Sequence, residues 1–332
     1  MEFCSIDLKL KDFSPIIPVW TGHSQTILGH LIPSELVKEN LKSHILTLND
    51  GDQLFIEYVD RNSDYTLSIF HGLGGHGRSD YMRRSANLAA ALNWNVVLVN
   101  HRLAHPKAEA KKSYHSGRGD DAAAVVEWAR LRFKKNSVQV ALGFSMSGSI
   151  LLNLLTERFG QHQPDFAICV NAPLKLDQSS ALLSKGFSII YDVRFYLLLK
   201  KLIEKKEKIN FPFLGRTVDI DRLYTAQKNG FKDSQDYYQQ CSTWPYLSRI
   251  KTKTFVLTAM DDPFVDFENY TTAIWPHSVH RTYLSSGGHM GYICKIKTAE
   301  YGFRWLDYYL HTVLLQIQKE VEKVHLENEL KS

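Results

Sequence analysis

Five short apolar runs constrain this chain most: Leu67–Phe70, Val96–Asn100, Val138–Gly143, Phe166–Val170 and Thr254–Thr258. None contains a charged residue, so an extended strand built from any of them has no face suited to water. Such strands belong in a sheet covered on both sides. The runs alternate with helical patterns at Arg83–Leu92, Asp120–Phe133 and Ile150–Arg158. The second of these opens on two acids, which suit the positive end of a helix dipole. Thr298–Leu315 reads as a closing helix, followed by a charged, solvated tail to Ser332. Strand–helix alternation predicts an α/β fold with a mostly parallel central sheet flanked by helices. Ahead of it, Ile45–Leu48 and Leu54–Val59 predict an antiparallel hairpin through the turn Asn49-Asp50-Gly51-Asp52. Arg281–Leu284 is the expected last strand.

Residues 173–247 break the rhythm, being far longer than one crossover requires. An aromatic and basic part, Phe187–Lys208, precedes a polar part, Asp219–Cys241. Phe, Tyr and Leu are too abundant there for a disordered linker. The expectation is one domain over 1–332, with a helical cap inserted at 173–247 above the carboxyl edge of the sheet.

Composition narrows the function. With 332 residues, 44% of them hydrophobic and 23% charged, the chain has ample material for a core. The net charge of +5 comes partly from Lys200-Lys201 and Lys205-Lys206. It is too small and too local to predict a nucleic-acid partner, although weak attraction to a membrane surface is compatible with it. The four cysteines, Cys4, Cys169, Cys241 and Cys294, form no C-x-x-C pair, so neither zinc nor a disulfide framework is expected. Met1–Pro15 lacks the apolar core of a secretory signal, and no stretch reaches the roughly 20 apolar residues of a membrane span. A cytoplasmic protein is the expectation. His101 and His105 are spaced i, i+4, but the adjacent Pro106 argues against a metal-binding helix. Gly74-Gly75-His76-Gly77 lacks the Lys-Ser/Thr of a phosphate loop. No metal or other cofactor is expected.

The chemistry is carried by Gly143-Phe144-Ser145-Met146-Ser147-Gly148, which lies between a predicted strand and a predicted helix. A serine on that sharp turn is a nucleophile elbow, with its hydroxyl raised above the sheet. Small residues two before and two after the serine let strand and helix approach; Gly143 meets this need, and Ser147 stands where Gly is usual. The hydroxyl requires a base, and in this arrangement an acid and then a histidine follow along the chain. Among His162, His277, His280, His289 and His311, besides His325 in the tail, the choice falls on His289, because Gly287-Gly288-His289 follows the last strand. Asp262, just before Pro263, is the preferred acid and its neighbour Asp261 the alternative. The amides of Met146 and of Leu73, in His71-Gly72-Leu73-Gly74-Gly75, are the expected oxyanion-hole donors.

With these residues in place, the chain resembles the YheT group of α/β-hydrolases, relatives of α/β-hydrolase-domain lipases and medium-chain ester synthases. The shared marks run from about Pro18 to His289. They include Pro18-Val19-Trp20-Thr21-Gly22-His23-Ser24-Gln25-Thr26, the His71–Gly75 run, Tyr114-His115-Ser116-Gly117 and Gly230-Phe231-Lys232-Asp233 with Asp236-Tyr237-Tyr238. Asp261-Asp262-Pro263-Phe264 and Gly287-Gly288-His289-Met290-Gly291 complete them. The resemblance implies a triad of Ser145, Asp262 and His289 acting on small-molecule carboxylic esters. The expected reaction is hydrolysis of short- to medium-chain acyl esters through an acyl-enzyme. Acyl transfer to an alcohol by the same triad, or ligand binding without catalysis, are the alternatives.

Overall fold

A computed structural model of the protein describes residues 8–16, 21–32, 40–295, 297 and 301–329. Pro18, Val19 and Trp20 of the N-terminal run, Thr298 of the expected closing helix, and the extreme termini lie outside the described residues.

The chain runs α1 (Gly22–Leu31), β1 (Lys42–Thr47), β2 (Gln53–Val59), β3 (Tyr65–Phe70), α2 (Asp80–Ala91), β4 (Asn95–Asn100), α3 (Gly119–Arg132) and β5 (Val138–Phe144). It continues with α4 (Met146–Leu155), β6 (Phe166–Val170), α5 (Leu176–Leu183), α6 (Ile189–Glu204), α7 (Thr217–Ile220), α8 (Ala226–Lys228) and α9 (Ser234–Cys241). It closes with β7 (Lys253–Ala259), α10 (Glu268–Thr272), β8 (Val279–Leu284) and α11 (Trp305–Glu329). The eight strands form one sheet in the order β1-β2-β4-β3-β5-β6-β7-β8. β2 pairs antiparallel with both β1 and β4, and every other pairing is parallel. This is the fold class that the uncharged strands imply. The expected hairpin forms, with Ile45 opposite Phe55 and Thr47 opposite Gln53.

Alternation along β5 separates two core layers. Val140, Leu142 and Phe144 pack with Trp305, Tyr309 and Leu310 of α11. Ala141 packs on the other side with Ile150 and Leu151 of α4. α4 is buried along its whole length, so it follows the strand without an amphipathic signal. Residues 171–252, between β6 and β7, hold helices and turns but no strand. None of the described helices is long and apolar enough to cross a membrane.

Two elements differ from expectation. The closing helix is described over Trp305–Glu329, so it continues past Leu315 instead of ending there in a solvated tail. Tyr309, Val313, Ile317 and Val321 are buried at helical spacing, so the charged extension keeps an apolar stripe against the sheet. In the second case, α1 forms where only a sequence mark had been noted. It is started by Thr21, whose hydroxyl accepts from Ser24 N–H at 3.2 Å in a reciprocal cap.

The hairpin is pinned by Arg102, which is 1% exposed. Its guanidinium donates to Asp50 at 2.7 Å, to Asp52 at 2.6 Å and to both oxygens of Asp121 at 2.6 and 2.7 Å. Asp52 also accepts from the amides of Lys111 and Lys112. Removing the cation leaves buried carboxylates without their counter-charge. Arg102→Ala should therefore lower the unfolding free energy by about 3–5 kcal/mol, measured by urea denaturation.

Candidate active site

At the end of β5 the backbone turns sharply at Ser145, whose φ is 52° and ψ −122°. A non-glycine residue at positive φ costs on the order of 1–3 kcal/mol, so its surroundings must hold it there. Ser145 N–H donates to the Val170 carbonyl of β6 at 2.8 Å, and α4 starts at Met146. A Cβ on Gly143 would lie 2.5 Å from the Ser147 carbonyl oxygen, and one on Gly148 would lie 2.7 Å from the Ala172 Cβ. The close approaches therefore fall at Gly143 and Gly148. Ser147 itself has an ordinary helical backbone, and its side chain is used.

The Ser147 hydroxyl donates to the His71 carbonyl oxygen and lies 2.7 Å from His101 Nε2. His101 Nδ1 is buried without a partner, which favours the tautomer in which Nε2–H donates to the Ser147 oxygen. Burial pushes the His101 pKa down to about 4, so the ring is neutral at pH 7. Its backbone N–H meets His71 Nε2 at 3.3 Å, and His71 Nδ1 lies 2.8 Å from the Gly72 carbonyl. Burial, followed by the neighbouring His101, also holds the His71 pKa well below the usual value. Two neutral histidines and Ser147 thus join the elbow to the loop after β3. The i, i+4 spacing of His101 and His105, set aside as a metal pair because of Pro106, does not point to this arrangement. The informative signal is position, because β3 and β4 are parallel neighbours followed directly by His71 and His101.

His289 Nε2 lies 2.8 Å from Ser145 Oγ. Its Nδ1 lies 2.8 and 3.1 Å from the two Asp262 oxygens. Asp262 further accepts from Phe264 N–H at 2.8 Å, Val265 N–H at 3.2 Å and Asn171 Nδ2 at 2.7 Å. Asp261 has different contacts: it accepts from Gly288 N–H at 2.8 Å and Ser286 Oγ at 2.9 Å, and so braces the loop that carries His289. The Phe264 ring packs on the His289 imidazole with centroids 4.6 Å apart. His162 lies by Glu127, and His311 by Tyr301, both outside this group.

Asn171 and Thr26 were not anticipated. Asn171 follows β6 at φ 50° and reaches the acid directly. Thr26 Oγ1 accepts from His289 N–H at 2.8 Å and donates to Gly22 at 2.6 Å. A Cβ on Gly22 would lie 1.7 Å from the Asp261 carbonyl, so only glycine lets α1 approach the acid loop.

In the loop after β3, most amides are occupied. Gly72 N–H donates to Tyr81 Oη at 3.0 Å, Gly74 N–H to Tyr114 Oη at 2.9 Å, and Gly75 N–H to the Gly72 carbonyl at 3.1 Å. The N–H groups of Leu73 and Met146 have no acceptor among the described residues. Met146 directly follows Ser145, and Leu73 follows Gly72, where a Cβ would lie 3.2 Å from the Ser145 Cβ. Leu73 and Met146 also line a cavity of about 30 Å³, together with Leu103, Leu199, Ile203 and Asp221. Burial pushes the Asp221 carboxyl up to about 6, and Tyr238 Oη donates to it at 2.8 Å.

No protein-family model matches the chain. YheT of Escherichia coli (strain K12) is 30% identical over 299 residues, covering 85% of this chain and 87% of that protein. A Saccharomyces cerevisiae monoacylglycerol lipase is 28% identical over 252 residues, 68% of this chain, and the match spans about half (54%) of the yeast protein. Among solved structures, a Pyrococcus furiosus esterase superposes with a TM-score of 0.57 at 16% identity, covering 94% of this chain and 98% of that one, which shows the shared fold. The chain belongs to the YheT-like group of the α/β-hydrolase superfamily.

Proposed function

We propose that this protein is a carboxylic ester hydrolase acting through Ser145, His289 and Asp262. The observation that carries the reading is the continuous chain of contacts from the Ser145 hydroxyl through both His289 nitrogens to the Asp262 carboxylate, each step 2.8 Å. His289 Nε2 takes the Ser145 proton as Oγ attacks the ester carbonyl. Asp262, fixed by Asn171 and two amides, keeps the Nδ1–H tautomer and stabilises the imidazolium that forms. The tetrahedral oxyanion sits between the Leu73 and Met146 N–H groups, which have no other acceptor among the described residues and are held by the hydrogen bonds of the Gly72 and Gly74 amides on one side and the start of α4 on the other. Collapse expels the alkoxide, which takes the proton from His289 and leaves an acyl group on Ser145 Oγ. Water, deprotonated by His289, then attacks the acyl-enzyme and releases the acid.

We infer an acyl group with a short apolar chain as the substrate. The cavity lined by Leu73 and Met146 is also lined by Leu103, Leu199 and Ile203, and at about 30 Å³ it has room for only the first carbons of such a chain. The names of the relatives, a monoacylglycerol lipase and a phospholipase among them, agree with ester chemistry.

Two measurements test the assignments. In hydrolysis of a series of p-nitrophenyl esters, Ser145→Ala should abolish turnover. Asp262→Asn should lower kcat by about 10³- to 10⁴-fold, whereas Asp261→Asn retains most of it. Equal losses at the two acids would contradict the assignment of Asp262. Ser147→Ala separates the linked loops without touching the triad. It should reduce kcat by about tenfold or more with little change in KM, in protein whose circular dichroism matches the wild type; an unchanged kcat would dismiss this positioning role.

A further inference from the structure

We propose that the rim of the active site formed by α1, α6 and the Pro212–Leu214 turn docks onto an anionic phospholipid surface. Fourteen large apolar side chains are exposed among the described residues, and six of them lie between 187 and 214. Phe187, Ile190, Leu197 and Leu198 lie on or just before α6, while Phe213 and Leu214 form the turn, with Phe213 85% exposed. That turn is held in place: Lys200 Nζ donates to the Pro212 carbonyl at 2.9 Å, and Tyr196 Oη donates to the same oxygen. The apolar pair is therefore presented on a fixed support.

α1 extends the same surface. The His23 ring stacks on Tyr191 with centroids 5.8 Å apart and meets Phe187 edge-on at 4.8 Å. Seven residues later, His30 Nε2 lies 2.7 Å from the Arg194 guanidinium. His23, Ile27, His30 and Leu31 share one side of a helix, so this row runs alongside α6, with Ile27 and Leu31 both exposed. Clustered apolar exposure on this scale marks an interaction surface.

The cluster adjoins the site at two places. Leu198 packs against the Gly74 backbone, where a Cβ would lie 3.4 Å from its Cδ1. On the other side, Thr26 of α1 holds the His289 amide.

Charge selects the occupant. The exposed row of α6 continues from Leu197 to Lys201 and Lys205 at i, i+4 spacing, and neither lysine forms an ion pair among the described residues. Of the acids on α6, Asp192 is buried and accepts from Thr217 N–H at 2.8 Å, while Glu204 lies 3.8 Å from Lys200. An apolar face with unneutralised lysines suits acyl chains beneath anionic headgroups. It disfavours a symmetric second copy, which would set like charges against each other.

The full chain should co-sediment with vesicles of phosphatidylcholine and phosphatidylglycerol, and much less with phosphatidylcholine alone, the difference shrinking as salt is added. Lys201→Glu with Lys205→Glu should weaken binding by about thirtyfold or more. Phe213→Asp with Leu197→Asp should abolish it while leaving turnover of a soluble p-nitrophenyl ester at the wild-type level. Wild-type protein that ignores mixed vesicles, variants that bind as well as wild type, or a dimer dispersed by Phe213→Asp without vesicle binding would each overturn the proposal. Vesicle binding does not require turnover, so an inactive chain that still binds would contradict only the hydrolase reading.

Discussion

The backbone of Ser145 is the constraint around which the rest of the site is arranged. A serine at φ 52° is strained by itself, and three packing contacts make that conformation the available one. Its amide is tied to β6, while Gly143 and Gly148 allow β5, α4 and the segment after β6 to approach at distances no side chain tolerates. The tight βα turn also leaves the Met146 amide without an internal acceptor, as the first amides of any helix are. One local geometry thus exposes the hydroxyl and supplies a free N–H beside it.

The remaining groups come from loops at the carboxyl ends of β3, β4, β6, β7 and β8, where open α/β sheets place their ligand sites. What makes these loops one site is a set of buried hydrogen bonds between them. Ser147 and His101 connect the elbow to the His71–Gly75 loop, Asn171 connects β6 to Asp262, and Thr26 connects α1 to His289. Burial lowers the pKa of both His71 and His101, so they hydrogen-bond without adding positive charge to the loops next to Ser145.

The sheet could be read in the sequence because its strands lack charge and are separated by helical periodicity. The sharp turn at Ser145 was readable because strand, serine and helix are contiguous. Asn171, Thr26 and the His71–Ser147–His101 connection could not be read, since each joins segments that meet only when the sheet order is known. The N-terminal run was noted as a mark of resemblance, but its physical reason, Gly22 against Asp261, depends on two segments that are distant in sequence. The end of α11 was misplaced because charge density obscured a stripe of Tyr309, Val313, Ile317 and Val321. The departure from glycine at 147 also reads differently in three dimensions: the close contact had moved one residue on, to Gly148, leaving the hydroxyl of Ser147 to bridge two loops.

Covalent labelling tests the central proposal most directly. Folded protein treated with a fluorophosphonate probe and digested should carry one adduct per chain, on the peptide containing Ser145 and on no other. An adduct at another residue, or none in protein with native circular dichroism, would contradict nucleophilic catalysis at the elbow.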